Sequence, residues 1–273
     1  MTSIAVLGAG KIGEAVLAGL LKAGQPDDQL CFTERVPERA RLVAERYGVR
    51  RVQVTDVAAL ADVLIVAVKP ADADALLGAL RPALGGLPAG QPLLVSLCAG
   101  LSAAFFEDRL PQGVPVVRVM PNTPMLVGQA MSVISGGRHA DERHLDQVTV
   151  ILSAVGRVAR VPEAQQDAVT ALSGTGPAYV YYLVEAMIDA GVLLGLPRAL
   201  ATELATQTAL GAARMLTETG DHPVVLREAV TSPGGTTTAA IRELDKRGAK
   251  AAFTAAIEAA HDRSVQLGMA DRK

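Results

Sequence analysis

Tryptophan is absent from this sequence of 273 residues, and aromatic residues make up only 3% of it. Half of the residues are nevertheless hydrophobic, so smaller aliphatic side chains must fill the interior. Ala, Leu, Val and Gly suit helices and closely packed parallel strands. A chain of this length can form two ordinary domains, or one large one, around a substantial core.

Cysteine is almost as scarce, and this scarcity excludes two classes of protein. Cys31 and Cys98 are the two cysteines, and they are far apart in the sequence. Without a CxxC pair, a disulfide framework and a zinc site are both excluded, and we expect no metal. The pattern indicates two small buried or half-buried thiols in a reducing compartment.

Charge of neither sign is in excess. The chain has 26 Lys and Arg against 28 Asp and Glu, which gives a net charge of −2 at pH 7. This balance provides no basic surface for nucleic acid, so we expect a small-molecule substrate and no nucleic-acid partner. It leaves the charge of that substrate open.

Signals for a membrane or for secretion are also missing. The N-terminus runs directly into the apolar residues 4–8 without a basic region, which predicts a first strand and not a signal peptide. The most apolar long stretch, residues 177–196, carries Glu185 and Asp189. It therefore predicts a buried helix and not a membrane span. We expect a cytoplasmic protein without a membrane partner.

The first 160 or so residues alternate short apolar runs with helical patterns. Residues 63–68 (VLIVAV) form an uninterrupted apolar run, which is typical of a strand buried on both faces. Repeated strand–helix–strand units predict an α/β fold with right-handed crossovers and a parallel sheet. The predicted strands are 4–7, 30–33, 63–68, 93–97, 115–119 and 131–134.

The pattern changes near residue 162, after which the sequence predicts helices. They are 179–194, 197–217, 224–230, 237–247 and 249–267, separated by glycines. We therefore predict two domains, residues 1–162 and 163–273. The helices are rich in Ala and Leu, which favours a core that continues across a subunit interface, although an ordinary monomeric bundle is the alternative.

The sequence Gly8-Ala9-Gly10-Lys11-Ile12-Gly13 is a complete GxGxxG. It follows a predicted strand and opens a helix, the context in which the motif binds a dinucleotide. Gly8 permits the tight turn, Gly10 lets the pyrophosphate approach the backbone, and Gly13 lets helix and strand pack closely. The helix N-terminus then offers N–H groups to the phosphates.

The end of the second predicted strand is equivocal about the cofactor. Glu34 there favours NAD, because an acid binds the ribose 2′-hydroxyl, whereas Arg35 favours NADP, because it can hold a 2′-phosphate. A solvated ion pair without a ligand is the alternative. We expect NADPH to be preferred and NADH also to be used.

Three further strand ends are candidates to line the nicotinamide, because ligands of α/β proteins bind at the carboxyl ends of the strands. Lys69 in the first of them is as easily explained as an exposed loop residue. The three segments are Ala67-Val68-Lys69-Pro70, Cys98-Ala99-Gly100 and Met120-Pro121-Asn122-Thr123-Pro124.

Two loops ahead of predicted helices carry unusual sequences. Residues 173–177 (SGTGP) place a proline in the first turn of a helix, and a simple capping turn explains them equally well. Residues 231–238 (TSPGGTTT) surround a Pro-Gly-Gly turn with five hydroxyls, more than an N-cap needs. Such a loop offers N–H and O–H donors to a small carboxylate.

These segments together resemble the pyrroline-5-carboxylate reductase family. Residues 223–245, PVVLREAVTSPGGTTTAAIRELD, are similar to the family's signature. Residues 172–191, LSGTGPAYVYYLVEAMIDAG, resemble its helix entry. The segments GAGKIGEAVLAGL (8–20), AVKP (67–70) and MPNTP (120–124) extend the resemblance over almost the whole chain.

The resemblance implies an N-terminal Rossmann domain and a C-terminal all-α dimerisation domain, with homodimers that assemble into decamers. It implies hydride transfer from NADPH or NADH to the C=N carbon of pyrroline-5-carboxylate, giving L-proline. The family's catalytic Thr, whose hydroxyl faces the ring nitrogen, falls on Thr237. The implied substrate-binding residues are Ser232, Gly235, Thr236 and Thr237. The expected cofactor-binding residues are Gly8, Gly10, Lys11, Ile12, Gly13, Glu34, Arg35, Ala67, Val68, Lys69, Pro70, Ala99, Gly100 and Asn122.

Two other functions compete with this interpretation. A related dehydrogenase of hydroxy acids needs an acid or base for the alcohol proton, often a Lys early in the second domain. The sequence has no Lys between Lys69 and Lys246, which counts against it. A non-catalytic dinucleotide-binding module would leave the TSPGGTTT loop unexplained. The four histidines lie outside the motifs, and we expect them to be surface residues.

Overall fold

A computed structural model describes residues 2–86 and 92–270 of the chain. The chain forms two compact units. The first runs to Thr175 and also takes in the end of the last helix from Ala260, and the second comprises Gly176–Ala259. The predicted boundary at residue 162, as a division between cofactor and substrate domains, stays a prediction.

The first unit alternates strands and helices, as the sequence predicts. Its elements are β1 (Ile4–Leu7), α1 (Lys11–Lys22), β2 (Leu30–Thr33), α2 (Pro37–Tyr47), β3 (Arg50–Arg51), α3 (Val57–Leu60), β4 (Val63–Val66), α4 (Ala73–Leu84), β5 (Leu93–Ser96), α5 (Ala103–Glu107), β6 (Val116–Met120), β7 (Ala130–Gly136), α6 (Glu142–Ser153), β8 (Gly156–Arg160) and α7 (Gln166–Val169). A π-helical turn at Thr170–Gly174 follows α7.

In the described part of the chain, the strands form one eight-stranded sheet in the order β3-β2-β1-β4-β5-β6-β7-β8. The first six strands have the order of a Rossmann fold, which confirms the predicted fold class. Strand order reverses between β1 and β4, and ligands bind outside the carboxyl ends of the strands at such a point.

Helices cover both faces of this sheet. Successive residues of a strand point to opposite faces, so each central strand contributes side chains to a core on either side. In β4, Val63 and Ile65 face the core under α1, α2 and α6. Leu64 and Val66 face the core under α3, α4 and α5. All four residues are fully buried, as their uninterrupted apolar run predicts.

The expectation of an all-parallel sheet is wrong at one pair of strands. β6 and β7 run antiparallel, with Val119 opposite Ile134, and the remaining neighbours are parallel. Residues 121–129 between these strands contain only a short 3₁₀ turn. A parallel connection needs a crossover of about a dozen residues or more, so this connection returns the chain as a hairpin does.

The second unit is helical, as predicted. The helices after residue 175 are α8 (Gly176–Leu193), α9 (Arg198–Thr219), α10 (Pro223–Ala229), α11 (Thr236–Lys246) and α12 (Ala249–Ala270), and α12 ends in the first unit. There, the Ser264 hydroxyl, which is buried, donates to Asp167 Oδ1 at 2.6 Å. In the residues that the structure describes, no helix is long and apolar enough to cross a membrane.

The expectation that residues 177–196 form a buried helix is wrong within the single chain. None of the α8 residues is buried. Tyr182 is 72% exposed and Leu193 is 87% exposed. Exposed apolar surface on this scale marks an interaction surface, so the helix needs a partner to bury its side chains.

Candidate active site

The glycine loop joins β1 to α1 in a conformation that requires glycine. Gly8 has φ +99°, and a Cβ there would lie 2.8 Å from Val68 Cγ1. A Cβ on Gly13 would overlap the Gly8 carbonyl oxygen. A Cβ on Gly10 would meet nothing within 4 Å. Gly8 and Gly13 are therefore required by the packing of the protein, whereas the space beside Gly10 is left open for a ligand.

The loop leads into a helix N-terminus suited to phosphate. Gly10 is the N-cap of α1, and no side chain caps the first amides of this helix. Lys11, at the first helical position, is exposed, and Ile12 is half-buried. The free N–H groups and the helix dipole favour an anion at this end.

A network of hydrogen bonds and ion pairs, which the sequence did not predict, connects α2 to the glycine loop and to α1. Arg39 Nε donates to the Ala9 carbonyl oxygen at 3.0 Å, and its guanidinium pairs with Glu14. Arg46 and the Tyr47 hydroxyl also bond Glu14, at 2.8 and 3.0 Å. Burial opposes ionisation of Glu14, but these hydrogen bonds and charges outweigh it and lower the pKa of the carboxyl. The ionised Glu14 therefore joins α1 to α2.

A cavity of about 620 Å³ lies at the carboxyl ends of β1, β2 and β4, where strand order reverses. A volume of this size suits a small-molecule or cofactor site. Seven of the predicted cofactor-binding residues line it: Gly8, Gly10, Glu34, Arg35, Ala67, Val68 and Lys69. Residues that the prediction did not include also line it, among them Thr33, Arg51, Gln53 and Asp72.

The acid and the arginine after β2 are both engaged within the protein. Glu34 Oε1 accepts a hydrogen bond from the Val36 backbone N at 2.9 Å, so this carboxylate turns towards the start of α2. Arg35 pairs with Asp72 at 3.2 Å, and its side chain remains 82% exposed. Exposed ion pairs of this kind are weak, so Arg35 can exchange Asp72 for another anion.

The ends of β4 and β5 lie side by side. Lys69 is exposed and also lines the cavity. It therefore fits both explanations, a residue that lines the cofactor site and an exposed loop residue. The Cys98 thiol lies 3.4 Å from the Val68 carbonyl oxygen, and burial raises the pKa of this thiol to about 11. Cys98 is therefore a protonated structural group. Ala99, which is exposed, and Gly100, with φ +81°, follow it at the strand end.

Asn122 connects three segments at the end of β6. Its Oδ1 accepts from the Met131 backbone N at 2.9 Å, and its Nδ2 donates to the Ser173 carbonyl oxygen at 3.2 Å. The Ser173 hydroxyl is buried and has no hydrogen-bond partner among the described residues. A cofactor contact of Asn122 stays a prediction, as do the contacts of all the other predicted cofactor-binding residues, whether or not they line the cavity.

The TSPGGTTT loop forms a tight turn in the second unit, ahead of α11. Gly235 N donates to the Ser232 carbonyl oxygen at 3.1 Å, and the Thr238 hydroxyl donates to the same oxygen at 2.7 Å. Gly235 is the N-cap of α11, and no side chain caps the helix. The first amides of α11 are therefore free to bind an anion.

The hydroxyls of this loop differ in what they contact. Thr237 is half-buried and Thr236 is exposed. Within the described ranges, no hydrogen-bond partner of the Thr237 hydroxyl is found, whereas the Thr238 hydroxyl closes the turn. Thr237 is thus not the helix cap, and its hydroxyl is available to a ligand.

The fold and the glycine loop define a dinucleotide-binding oxidoreductase with an additional helical unit. Residues 163–267 match the family model for pyrroline-5-carboxylate reductase dimerisation, and residues 3–100 match that for NADP oxidoreductase, coenzyme F420-dependent. The chain belongs to the pyrroline-5-carboxylate reductase family, because relatives of that name match 98% of it at 44% and 47% identity.

Relatives and solved structures of the same family match this chain over almost its whole length. The chain is 47% identical to a pyrroline-5-carboxylate reductase of Corynebacterium melassecola, over 98% of this chain and 99% of the relative. A relative of the same name from Mycobacterium leprae is 44% identical over 98% and 97%. A pyrroline-5-carboxylate reductase structure from Coxiella burnetii has a TM-score of 0.91 at 35% identity, covering 97% and 98%. A Plasmodium falciparum pyrroline carboxylate reductase with NADP bound has a TM-score of 0.85 at 29% identity, covering 98% of both chains.

Proposed function

We propose that this chain reduces L-1-pyrroline-5-carboxylate to L-proline with NADPH, and also with NADH, as the last step of proline biosynthesis. The similarity over 98% of the chain to relatives named for this activity carries the proposal. The open space at Gly10 and the uncapped loop before α11 support it.

The first 162 residues are assigned to the cofactor. The space beside Gly10 fits a pyrophosphate, since nothing lies within 4 Å of a Cβ built there. Gly8, Lys11, Ile12 and Gly13 complete the loop. At the adenosine end, Glu34 and Arg35 flank the ribose. The strand ends would face the nicotinamide through Ala67, Val68, Lys69, Pro70, Ala99, Gly100 and Asn122.

The region 163–273 is assigned to the substrate and to dimerisation. The substrate carboxylate is held by the turn at Ser232 and Gly235 and by the amides at Thr236 and Thr237. These donors lie at a helix N-terminus, where the dipole favours a negative charge. The ring nitrogen faces the hydroxyl of Thr237, which has no hydrogen-bond partner within the described ranges.

An imine is already electrophilic, so the protein needs no strong acid or base for this reduction. The nicotinamide, when bound, supplies the hydride to the C=N carbon. The protein contributes by fixing the ring through its carboxylate, and positioning of this kind accounts for much of an enzyme's effect. The substrate that enters as the protonated imine already carries the proton that the amine nitrogen needs, so hydride addition balances, and the Thr237 hydroxyl hydrogen-bonds that nitrogen as it becomes an amine.

The direct test mixes the purified protein with NADPH and pyrroline-5-carboxylate. We expect the absorbance of the reduced cofactor to fall and proline to accumulate in equal amount, as separation of the products would measure. A hydroxy acid mixed with NADP⁺ should not reduce the cofactor. Oxidation of an alcohol needs a base for its proton, and the second unit has no Lys before Lys246. Turnover of the hydroxy acid, or no turnover of either substrate, would overturn the proposal.

The exposed apolar helices of the second unit support a homodimer formed through them. We expect light scattering to report a multimer of the 28.2 kDa chain. Tyr182→Glu places a charge on the exposed surface of α8 and should weaken assembly at least tenfold, because an unpaired charge at an interface is costly. Val150→Glu is the matched control, since Val150 is 74% exposed in the first unit. A monomeric parent protein would contradict the dimer. The decamer and the cytoplasmic location stay predictions.

A further inference from the structure

We infer that Arg51, in the edge strand β3, is a cofactor-selecting residue that holds the 2′-phosphate of NADPH. This inference deepens the proposed function, on whose cofactor it rests. The structure assigns the role through the juxtaposition of Arg51 with the end of β2. Arg51 Nη2 donates to the Glu34 carbonyl oxygen at 2.9 Å, and Arg51 lines the 620 Å³ cavity together with Glu34 and Arg35.

Strand pairing fixes the position of Arg51. β3 runs parallel to β2, with Arg50 opposite Cys31 and Arg51 opposite Phe32, and Val52 N donates to the Phe32 carbonyl oxygen at 2.9 Å. The residue that follows β2 in a Rossmann fold contacts the ribose at its 2′ position. Because Arg51 bonds the backbone of that residue, its guanidinium lies beside the expected 2′ position.

The charges around the cavity favour an anion at this place. The charged residues that line it are Glu34, Arg35, Arg51, Lys69 and Asp72. Glu34 is turned to the backbone N of Val36, and Asp72 is paired with Arg35. Among the described residues, neither Arg51 nor Lys69 forms an ion pair. Arg51 is thus the guanidinium at the ribose end that no carboxylate already occupies.

The chemistry of Arg51 suits a phosphate monoester. A guanidinium presents five N–H donors in a planar fork that matches phosphate oxygens, and one of them is used by the Glu34 carbonyl oxygen. That bond also fixes the side chain in place before any ligand arrives. Arg35, by contrast, must first leave Asp72, so we expect it to contribute less than Arg51.

The neighbouring Arg50 provides a matched control. Successive side chains of a strand point to opposite faces, and Arg50 is not among the residues that line the cavity. Both arginines are exposed in the same two-residue strand, so both substitutions remove one surface charge from the same element. A difference between the two variants therefore reports on the cavity and not on net charge.

The experiment measures binding of adenosine 2′,5′-bisphosphate and of adenosine 5′-monophosphate by calorimetry, without substrate. Arg51→Gln should weaken the bisphosphate about tenfold to a hundredfold, because a charge-assisted hydrogen bond is lost. It should change the monophosphate less than twofold. Arg50→Gln should change neither ligand, and Arg35→Ala should weaken the bisphosphate by a smaller factor. In turnover, Arg51→Gln should raise the KM for NADPH but not that for NADH.

Two outcomes would overturn the assignment. Equal weakening of both ligands would mean that Arg51 only shapes the adenosine pocket, and no weakening of either would mean that it makes no contact. Arg51→Lys, which keeps the charge but loses the fork, should retain part of the preference, and this variant decides the matter if the Gln variant does not fold. Because binding is measured without pyrroline-5-carboxylate, an error in the proposed substrate leaves this result unaffected.

Discussion

Replacing Gly10 with valine is expected to abolish NADPH binding while the protein remains folded. The N-cap position of Gly10 has φ −68° and ψ −169°, a backbone conformation that any L-residue adopts. A Cβ there meets nothing within 4 Å, so the side chain does not clash with the protein. It should occupy the space that we propose for the pyrophosphate. Losing several charge-assisted hydrogen bonds should weaken NADPH more than about 100-fold, as calorimetry would measure.

The other glycines define the controls for this experiment. Gly78→Val makes the same change on α4, where a Cβ also meets nothing within 4 Å, and should leave NADPH affinity unchanged. Gly13→Ala should instead destabilise the fold, because its methyl group overlaps the Gly8 carbonyl oxygen. Circular dichroism separates these two kinds of failure. Unchanged NADPH affinity in a folded Gly10→Val protein would remove this loop from the cofactor site.

Parts of the site that are formed by residues adjacent in the sequence can be predicted from the sequence alone. The GxGxxG turn depends on a strand, a loop and a helix that are adjacent in sequence, so its pattern alone predicts its position. The buried strand β4 is equally visible, because a run of apolar residues without alternation is typical of burial on both faces. Both patterns lie within one continuous segment, so they predict the element itself, although β4 pairs with β1 and β5 far from it in the sequence.

Arg51 was missed because its role depends on a long-range pairing. β3 has only two residues, Arg50 and Arg51, and both are exposed, so no hydrophobic pattern marks the strand. The parallel register with β2 brings Arg51 beside Glu34, 17 residues earlier. A signal did exist: the segment after α2 must return to the sheet edge beside β2 in a Rossmann fold.

Three other differences have separate physical causes. The sequence GRVAR of β8 has too few apolar residues to be recognised as a strand, although it pairs along β7. The reversal at β7 was foreseeable, because the segment between residues 119 and 131 is too short for a helical crossover. The exposure of α8 could not be predicted because an apolar pattern indicates burial but does not tell burial within one chain from burial between two chains.

Thr237 is the residue at which we expect a substitution to affect the chemical step. The Thr238 hydroxyl already closes the turn by donating to the Ser232 carbonyl oxygen at 2.7 Å, so the loop keeps its shape without Thr237. Thr237 is a half-buried residue, and in the described part of the chain its hydroxyl has no hydrogen-bond partner. In the proposed mechanism it bonds the ring nitrogen. Thr237→Ala should therefore lower kcat, with NADPH affinity nearly unchanged.

The expected decrease in kcat for Thr237→Ala follows from the kind of hydrogen bond that is lost. Removing one donor to a developing oxyanion costs about 10²–10³ in rate. The nitrogen becomes a neutral amine or its protonated form and never an oxyanion, so we expect a smaller loss, about tenfold to a hundredfold in kcat. Thr237→Ser keeps the hydroxyl and should retain most of the activity.

A variant of the neighbouring Thr238 distinguishes an effect on the chemical step from an effect on the structure of the loop. Thr238→Ala removes the bond to the Ser232 carbonyl oxygen, so the turn proposed to hold the carboxylate should loosen. This variant should raise the KM for pyrroline-5-carboxylate more than it lowers kcat, the reverse of the pattern for Thr237→Ala. If Thr237→Ala and Thr237→Ser both turn over like the parent enzyme, the hydroxyl makes no bond to the reacting ring. Catalysis would then depend on the amides before α11 and on positioning alone.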